Sequence, residues 1–292
     1  MKLASYDDGS RDGHLVVVSH DLSMAHYASG IATRLQQVLD DWGFLAPQLE
    51  ELAISLNHGR ARHAFPFEPK RCRAPLARCA HWMVAQAWRE AAGPWLQRGA
   101  GDALLGPAAR VRVPEGASLD GHAQWVMLTG DVPAHAAPAS ALAQVRLLGL
   151  AAAWWVRPLP EGADPLHAWP ASSFSPVLAT PDEVGDAWQA GQLWRPLEIQ
   201  RDGSPPYRSP PEPAMHWHAG QLMAWAARGH PLGAGTLIGT GPRSGLCEAL
   251  SGLHAGERVH IDMAGADGHS LFGAITPELI DADGDDPEEN LA

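Results

Sequence analysis

Apolar positions along the chain fall into short runs of two different periods. "HLVVVS" at 14–19 is a β-branched run, led in by the turn dipeptides Asp8-Gly9 and Asp12-Gly13, and predicts a buried strand within an opening hairpin. After Gly30 the period lengthens: Leu35, Val38, Leu39 and Trp42 recur at helical spacing, Pro47 interrupts, and Leu49, Leu52, Ala53 and Leu56 resume. Two consecutive helices are expected. The stretch "AFPFEPKRCRAP" at 64–75 carries three prolines and no periodicity, which places a connector and a domain boundary near residue 70.

Beyond that boundary, strand and helix signals mix. "QWVMLT" at 124–129 predicts a strand, and "ASALAQVRLLGL" at 139–150 a helix with Leu142, Val145, Leu148 and Gly149 on one face. Thr180 as N-cap, Pro181 at the first helical position and Glu183 three after the cap predict a helix reaching about Ala190. "DGSPPYRSPPEP" at 202–213 holds five prolines and predicts an extended loop, since missing N–H donors exclude a central strand. Residues 219–228 predict a short helix closed by Gly229; a strand in "GTLIGTG" follows, then a hairpin from "ERVHIDM" through Asp267-Gly268 into "SLFGAI". The sum is an α+β chain.

Its 292 residues allow one large domain or two smaller ones, and 46% apolar against 18% charged residues fits a folded globular protein. The net charge of −12 argues against nucleic acid, because an acidic surface repels phosphates. Asp281, Asp283, Asp285, Asp286, Glu288 and Glu289 supply six of those charges from the last twelve residues, so 281–292 reads as an acidic, disordered tail. Cys72, Cys79 and Cys247 are too few for a disulfide framework and lack zinc-knuckle spacing. The charged start "MKLASYDDGSRDG" is not a signal peptide, and no apolar run approaches a membrane span. A cytoplasmic protein with no membrane partner is expected.

Six segments, "YDDGSRDGHLVVVSHDL", "AFPFEP", "SSFSPV", "PDEVGDAW", "PLGAGTLIGTG" and "SLFGAI", resemble in order bacterial members of the fumarylacetoacetate hydrolase (FAH) family. That resemblance implies a small N-terminal α/β domain at 1–70, an FAH-type mixed β-roll domain at 71–280 and a homodimer. It also implies hydrolysis, decarboxylation, hydration or isomerisation of small 2-oxo or β-diketo acids on a bound Mg²⁺, Mn²⁺ or Ca²⁺. Such a hard cation chelates substrate oxygens and stabilises an enolate, and is itself held by carboxylates.

Those carboxylates are not where the resemblance implies them. The family's Glu-x-Glu pair falls on His122 and Gln124, which as alternate strand residues share a face. Its Asp falls near Ala153, and its Lys before "PSS" on Trp169. The segment between Trp82 and Gly101 has no His to serve as the family's base and is shortened where a lid is expected; Thr240-Gly241-Pro242 keeps the glycine turn without its second Thr. Between Ala91 and Thr180 the only acids are Asp102, Glu115, Asp120, Asp131, Glu161 and Asp164, and no two are spaced as Glu-x-Glu.

The expectation is therefore a family member without metal-binding carboxylates, non-catalytic or functionally diverged, with no cofactor unless a Mg²⁺ or Mn²⁺ site is retained. No catalytic residue is assigned; His122, Thr240 and Gly241 are the candidate binding residues, the last two offering a hydroxyl and a backbone amide. Trp154, Trp155 and Trp169 either fill the vacated space or stack on an aromatic ligand, and Asp120 shares the face of His122. Two alternatives stay open: an active metal-dependent hydrolase or decarboxylase of acylpyruvate-type acids, and a transition-metal enzyme built on His122, His216 and His218. Expected partners are a small 2-oxo acid or aromatic ligand, and a second copy or a paralogue.

Overall fold

The computed structural model describes residues 1–159, 161, 165–210 and 215–282. Its first segment is a meander: β1 (Lys2–Tyr6), β2 (His14–Val18), β3 (Met24–Tyr27) and, after two helices, β4 (Phe65–Pro66). The helices are α1 (Leu35–Asp40) and α2 (Trp42–Asn57), as the periodicity predicts, but the break falls at Asp41 and Pro47 lies inside α2. Pro47 is the sixth residue of α2, past the free N–H groups of its first turn, so α2 forgoes the i→i−4 bond to the Gly43 carbonyl there. Leu35, Val38, Leu39, Leu49, Ala53 and Leu56 are buried, so the helical spacing marks the face that packs on the sheet.

Next come β5 (Trp82–Ala85), β6 (Leu96–Gly99), β7 (Leu104–Leu105), β8 (Arg110–Val113) and the long β9 (Ser118–Thr129). After α3 (Pro138–Leu142) runs β10 (Val145–Arg157), then β11 (Ala171–Phe174) and β12 (Leu178–Ala179). The helix predicted over 139–150 is thus corrected to a five-residue helix followed by a thirteen-residue strand. The cause is burial on both faces: Leu148, Leu150 and Ala152 join one core cluster, Leu147, Ala151 and Ala153 the other, and a strand with no polar face shows no alternation.

The remainder is β13 (Trp188–Gln189), β14 (Gln192–Leu193), β15 (Glu198–Arg201), β16 (Tyr207–Arg208), α4 (Ala219–Ala226), β17 (Leu237–Gly239), α5 (Leu246–Ala249), β18 (Val259–Asp262) and β19 (Glu278–Asp281). The helix predicted from Thr180 to Ala190 is corrected to a single turn: Glu183 and Val184 amides reach Thr180 O, and Gly185 at φ +59° and a 3₁₀ turn end it. The proline-rich stretch carries the edge strand β16, and its residues 211–213 lie outside the described set. Of the final hairpin, "SLFGAI" meets "ERVHIDM" through the isolated bridge Ile261↔Ile275 and the Leu271 amide on Met263 O, with a second bridge, Ala264↔Ser270, at the turn. Asp281 ends β19, which pairs with β8; the rest of the acidic tail, 283–292, lies outside the described residues.

One twelve-stranded sheet organises the molecule, in the order β4-β3-β2-β1-β12-β10-β9-β17-β5-β6, with β11 against β10 and β7. The N-terminal meander therefore continues the central sheet through the β1–β12 pair. Antiparallel β9 and β10 form its axis, in a register that sets His122 opposite Ala153 and Gln124 opposite Ala151. One face packs on α1 and α2; the other closes over α4, β15 and β18. Among the described residues no helix is long and apolar enough to cross a membrane.

Candidate functional site

The parity of β9 divides its side chains between the two faces. His122 and Gln124 share the face of Val126 and Leu128, while Ala123, Trp125 and Met127 point the other way. Gln124 is buried, and its Oε1 accepts the Gly241 N–H at 2.7 Å. Thr240, fully buried, donates its hydroxyl to Trp125 O at 3.3 Å and its amide to the same oxygen at 3.1 Å. Gln124, Thr240 and Gly241 thus come together at the junction of β9 and β17, with the hydroxyl and the amide both engaged inside the protein. Gly241 has φ +85°, and a Cβ there would overlap the Ala85 carbonyl oxygen outright.

His122 stands next to this group but against indoles. Its ring centroid is 5.5 Å from Trp155, which stacks on Trp169 at 5.2 Å and 22°. Trp169 in turn meets Trp82 edge-on at 6.0 Å, and Trp82 meets Phe174 at 5.3 Å. Ser172, register partner of Ala153, accepts both the Trp82 and the Trp169 Nε1–H at 3.0 Å. Burial lowers the His122 pKa, against the opposing pull of Asp120, so the ring is neutral near pH 7. Trp154 lies on the opposite face and donates to Ser173 Oγ at 2.9 Å.

The aromatic face is held by few polar atoms, and Ser172 is the most economical point to test it. Ser172→Ala leaves two buried indole N–H groups without an acceptor, at about 1–3 kcal/mol each. A loss of about 2–6 kcal/mol is expected in urea denaturation; a change within experimental scatter would mean the indoles find other partners.

Asp120 and Asp131 are committed elsewhere. Asp120 accepts the Gly252 amide at 2.9 Å and faces Arg157 at 3.6 Å; Asp131 accepts the Ala234 amide at 2.9 Å. Among the described residues, no three His, Cys, Asp or Glu side chains are placed to hold a metal ion. The set His122, His216 and His218 is not assembled: His216 is exposed, and His218 is the N-cap of α4, which packs against α3. Where a lid is expected, β5 and β6 form a hairpin joined by the loop 86–95, whose ends meet through the Gln86 amide on Trp95 O at 3.0 Å.

Sequence reasoning missed the neighbours that Gln124, Thr240 and Gly241 share around a small cavity. Trp125, Arg195 and Arg243 line it together with Trp88, Leu246 and Met263. Arg195 lies between Trp194 and Pro196 in a segment without periodicity, so no pattern announces it.

A mixed sheet wrapped around two long central antiparallel strands, with an N-terminal meander and helical pair, defines an α+β protein of the FAH type. A model described as fumarylacetoacetase N-terminal domain 2 matches residues 1–78, and one described as fumarylacetoacetate (FAA) hydrolase C-terminal matches residues 71–276. The chain belongs to the fumarylacetoacetate hydrolase family. Maleylpyruvate hydrolase from Sphingobium sp. SYK-6 is 16% identical, with a TM-score of 0.71 over 97% of this chain and 100% of that one. A second structure of that enzyme, with manganese(II) ion and pyruvate, is 15% identical, with a TM-score of 0.71 over 96% of this chain and 99% of that one. A putative HpcE protein from Mycobacterium smegmatis is 17% identical, with a TM-score of 0.72 over 96% and 100%. These likenesses show the fold. No curated protein matches the chain.

Proposed function

We propose that this family member has lost metal-dependent catalysis and acts as a binding or assembly member of the family. One observation carries the reading: the face on which the family's carboxylates are expected holds His122, Gln124 and Ala153 under a stack of indoles. A divalent hard cation seeks several oxygen ligands, preferably charged. Gln124 offers one neutral oxygen, already accepting the Gly241 amide, and Ala153 offers none. His122 is neutral and shielded by Trp155. These residues do not fit Mg²⁺ or Mn²⁺, so no reaction step is routed through a metal.

The ligand we assign to this reading is a small 2-oxo acid or an aromatic compound, and the partner a second copy or a catalytic paralogue. The test is calorimetric titration of metal-stripped protein with Mn²⁺ and Mg²⁺, followed by an assay for metal-dependent turnover of an acylpyruvate. No saturable heat and no turnover are expected. Saturable binding of either ion, or turnover, would sink the proposal in favour of an ordinary metal-dependent hydrolase.

A further inference from the structure

From just before α4 to just after it, Trp217, Gln221, Trp225 and Arg228 recur at helical spacing and line one groove of about 420 Å³. Pro94 and Pro138 stand across from them, the first in the loop 86–95 and the second at the start of α3. The loop is fixed to this side of α4 at two points. The Ala87 carbonyl accepts the Trp217 amide at 3.1 Å, and Gly93 lies so close on the Trp225 indole that a Cβ there would be 2.5 Å from Cη2.

The polar groups of this lining are donors. Arg228 is exposed, with its guanidinium over the Trp225 ring at 4.0 Å from the centroid, and among the described residues no carboxylate or carbonyl accepts from it. A guanidinium seated on an indole is held through its charge and keeps its N–H fork for a carboxylate. Gln221 accepts the His218 amide with Oε1 at 3.0 Å, which leaves Nε2 as its donor, and the Trp217 Nε1–H is buried without an acceptor. No acid lines the groove among the described residues. We infer that this groove binds an aromatic carboxylate. Arg228 selects the anion, the two indoles and two prolines take a flat apolar body, and the volume lies in the range of small-molecule sites. A bare inorganic anion would leave the apolar walls in water, and a cation would meet Arg228 with no acid to offset it.

The inference goes beyond the reading above and stands apart from it, since the groove shares no residue with Gln124, Thr240, Gly241 or the indoles around His122. The test is a ligand-observed NMR titration of the metal-stripped full chain with sodium benzoate at constant ionic strength, with benzamide as the neutral isostere and acetate as the head alone. Saturable benzoate binding is expected, with benzamide and acetate each weaker by about tenfold or more. Arg228→Gln, a change at an exposed side chain, is expected to weaken benzoate by a similar factor and to leave benzamide unchanged. No saturable benzoate binding, equal affinity for benzamide or for acetate, or unchanged benzoate affinity in Arg228→Gln would overturn the site. Benzoate binding together with saturable Mn²⁺ binding sinks only the loss of metal, whereas metal silence without benzoate binding sinks only the groove.

Discussion

Gly241→Ala is expected to destabilise the protein by about 3–8 kcal/mol, enough to leave little folded material at 37 °C. Three costs add. The backbone sits at φ +85°, where an L side chain costs about 1–2 kcal/mol. The added Cβ overlaps the carbonyl oxygen of the fully buried Ala85, the last residue of β5, and forcing a packed core apart costs about 1–3 kcal/mol. Backbone movement then separates the Gly241 amide from Gln124 Oε1, leaving a buried donor and acceptor unpaired at about 1–3 kcal/mol. Soluble yield and urea denaturation measure the outcome. Near-native stability would mean that the turn can relax away from β5, and that its glycine serves something other than packing.

The same position shows how much the sequence conveys. The glycine turn is legible because few residues tolerate that backbone, and the helical faces of α1 and α2 are legible because one side meets solvent. β10 is not, because burial on both faces removes the alternation that marks a strand, and the scattered leucines then mimic a helical stripe. The turn after Thr180 misleads for a different reason: its cap signals are real, but they start one turn and no more once Gly185 takes a left-handed conformation. In the site, the positions of His122, Gln124 and Ala153 follow from local order along two strands. The stacking of Trp155 on Trp169, and the single hydroxyl of Ser172 serving two indoles, depend on three separate strands and a loop, which no local pattern encodes.

That arrangement separates two obstacles to metal binding, missing charge and missing room. The triple variant His122→Glu, Gln124→Glu, Ala153→Asp supplies the charge alone. Three carboxylates then crowd a face closed by Trp155 and Trp169, and each unpaired buried charge costs on the order of 3–5 kcal/mol. Protonation relieves part of that cost: buried carboxylates have raised folded pKa values, the unfolded state ionises first, and stability falls as pH rises above about 4. A lower melting temperature at pH 8 than at pH 5 is therefore expected, with little recovery in Mn²⁺. Adding Trp169→Ala removes the indole that reaches the level of Ala153 through Ser172. The quadruple variant is expected to bind Mn²⁺ saturably and to regain melting temperature with the ion, since ligand binding stabilises the folded state by mass action. Calorimetric melting with and without Mn²⁺ decides between the two obstacles. Full rescue of the triple variant by Mn²⁺ would show that charge alone was lost and that the indoles leave the site open; no rescue in either variant would place the obstacle in the backbone of β9 and β10 instead.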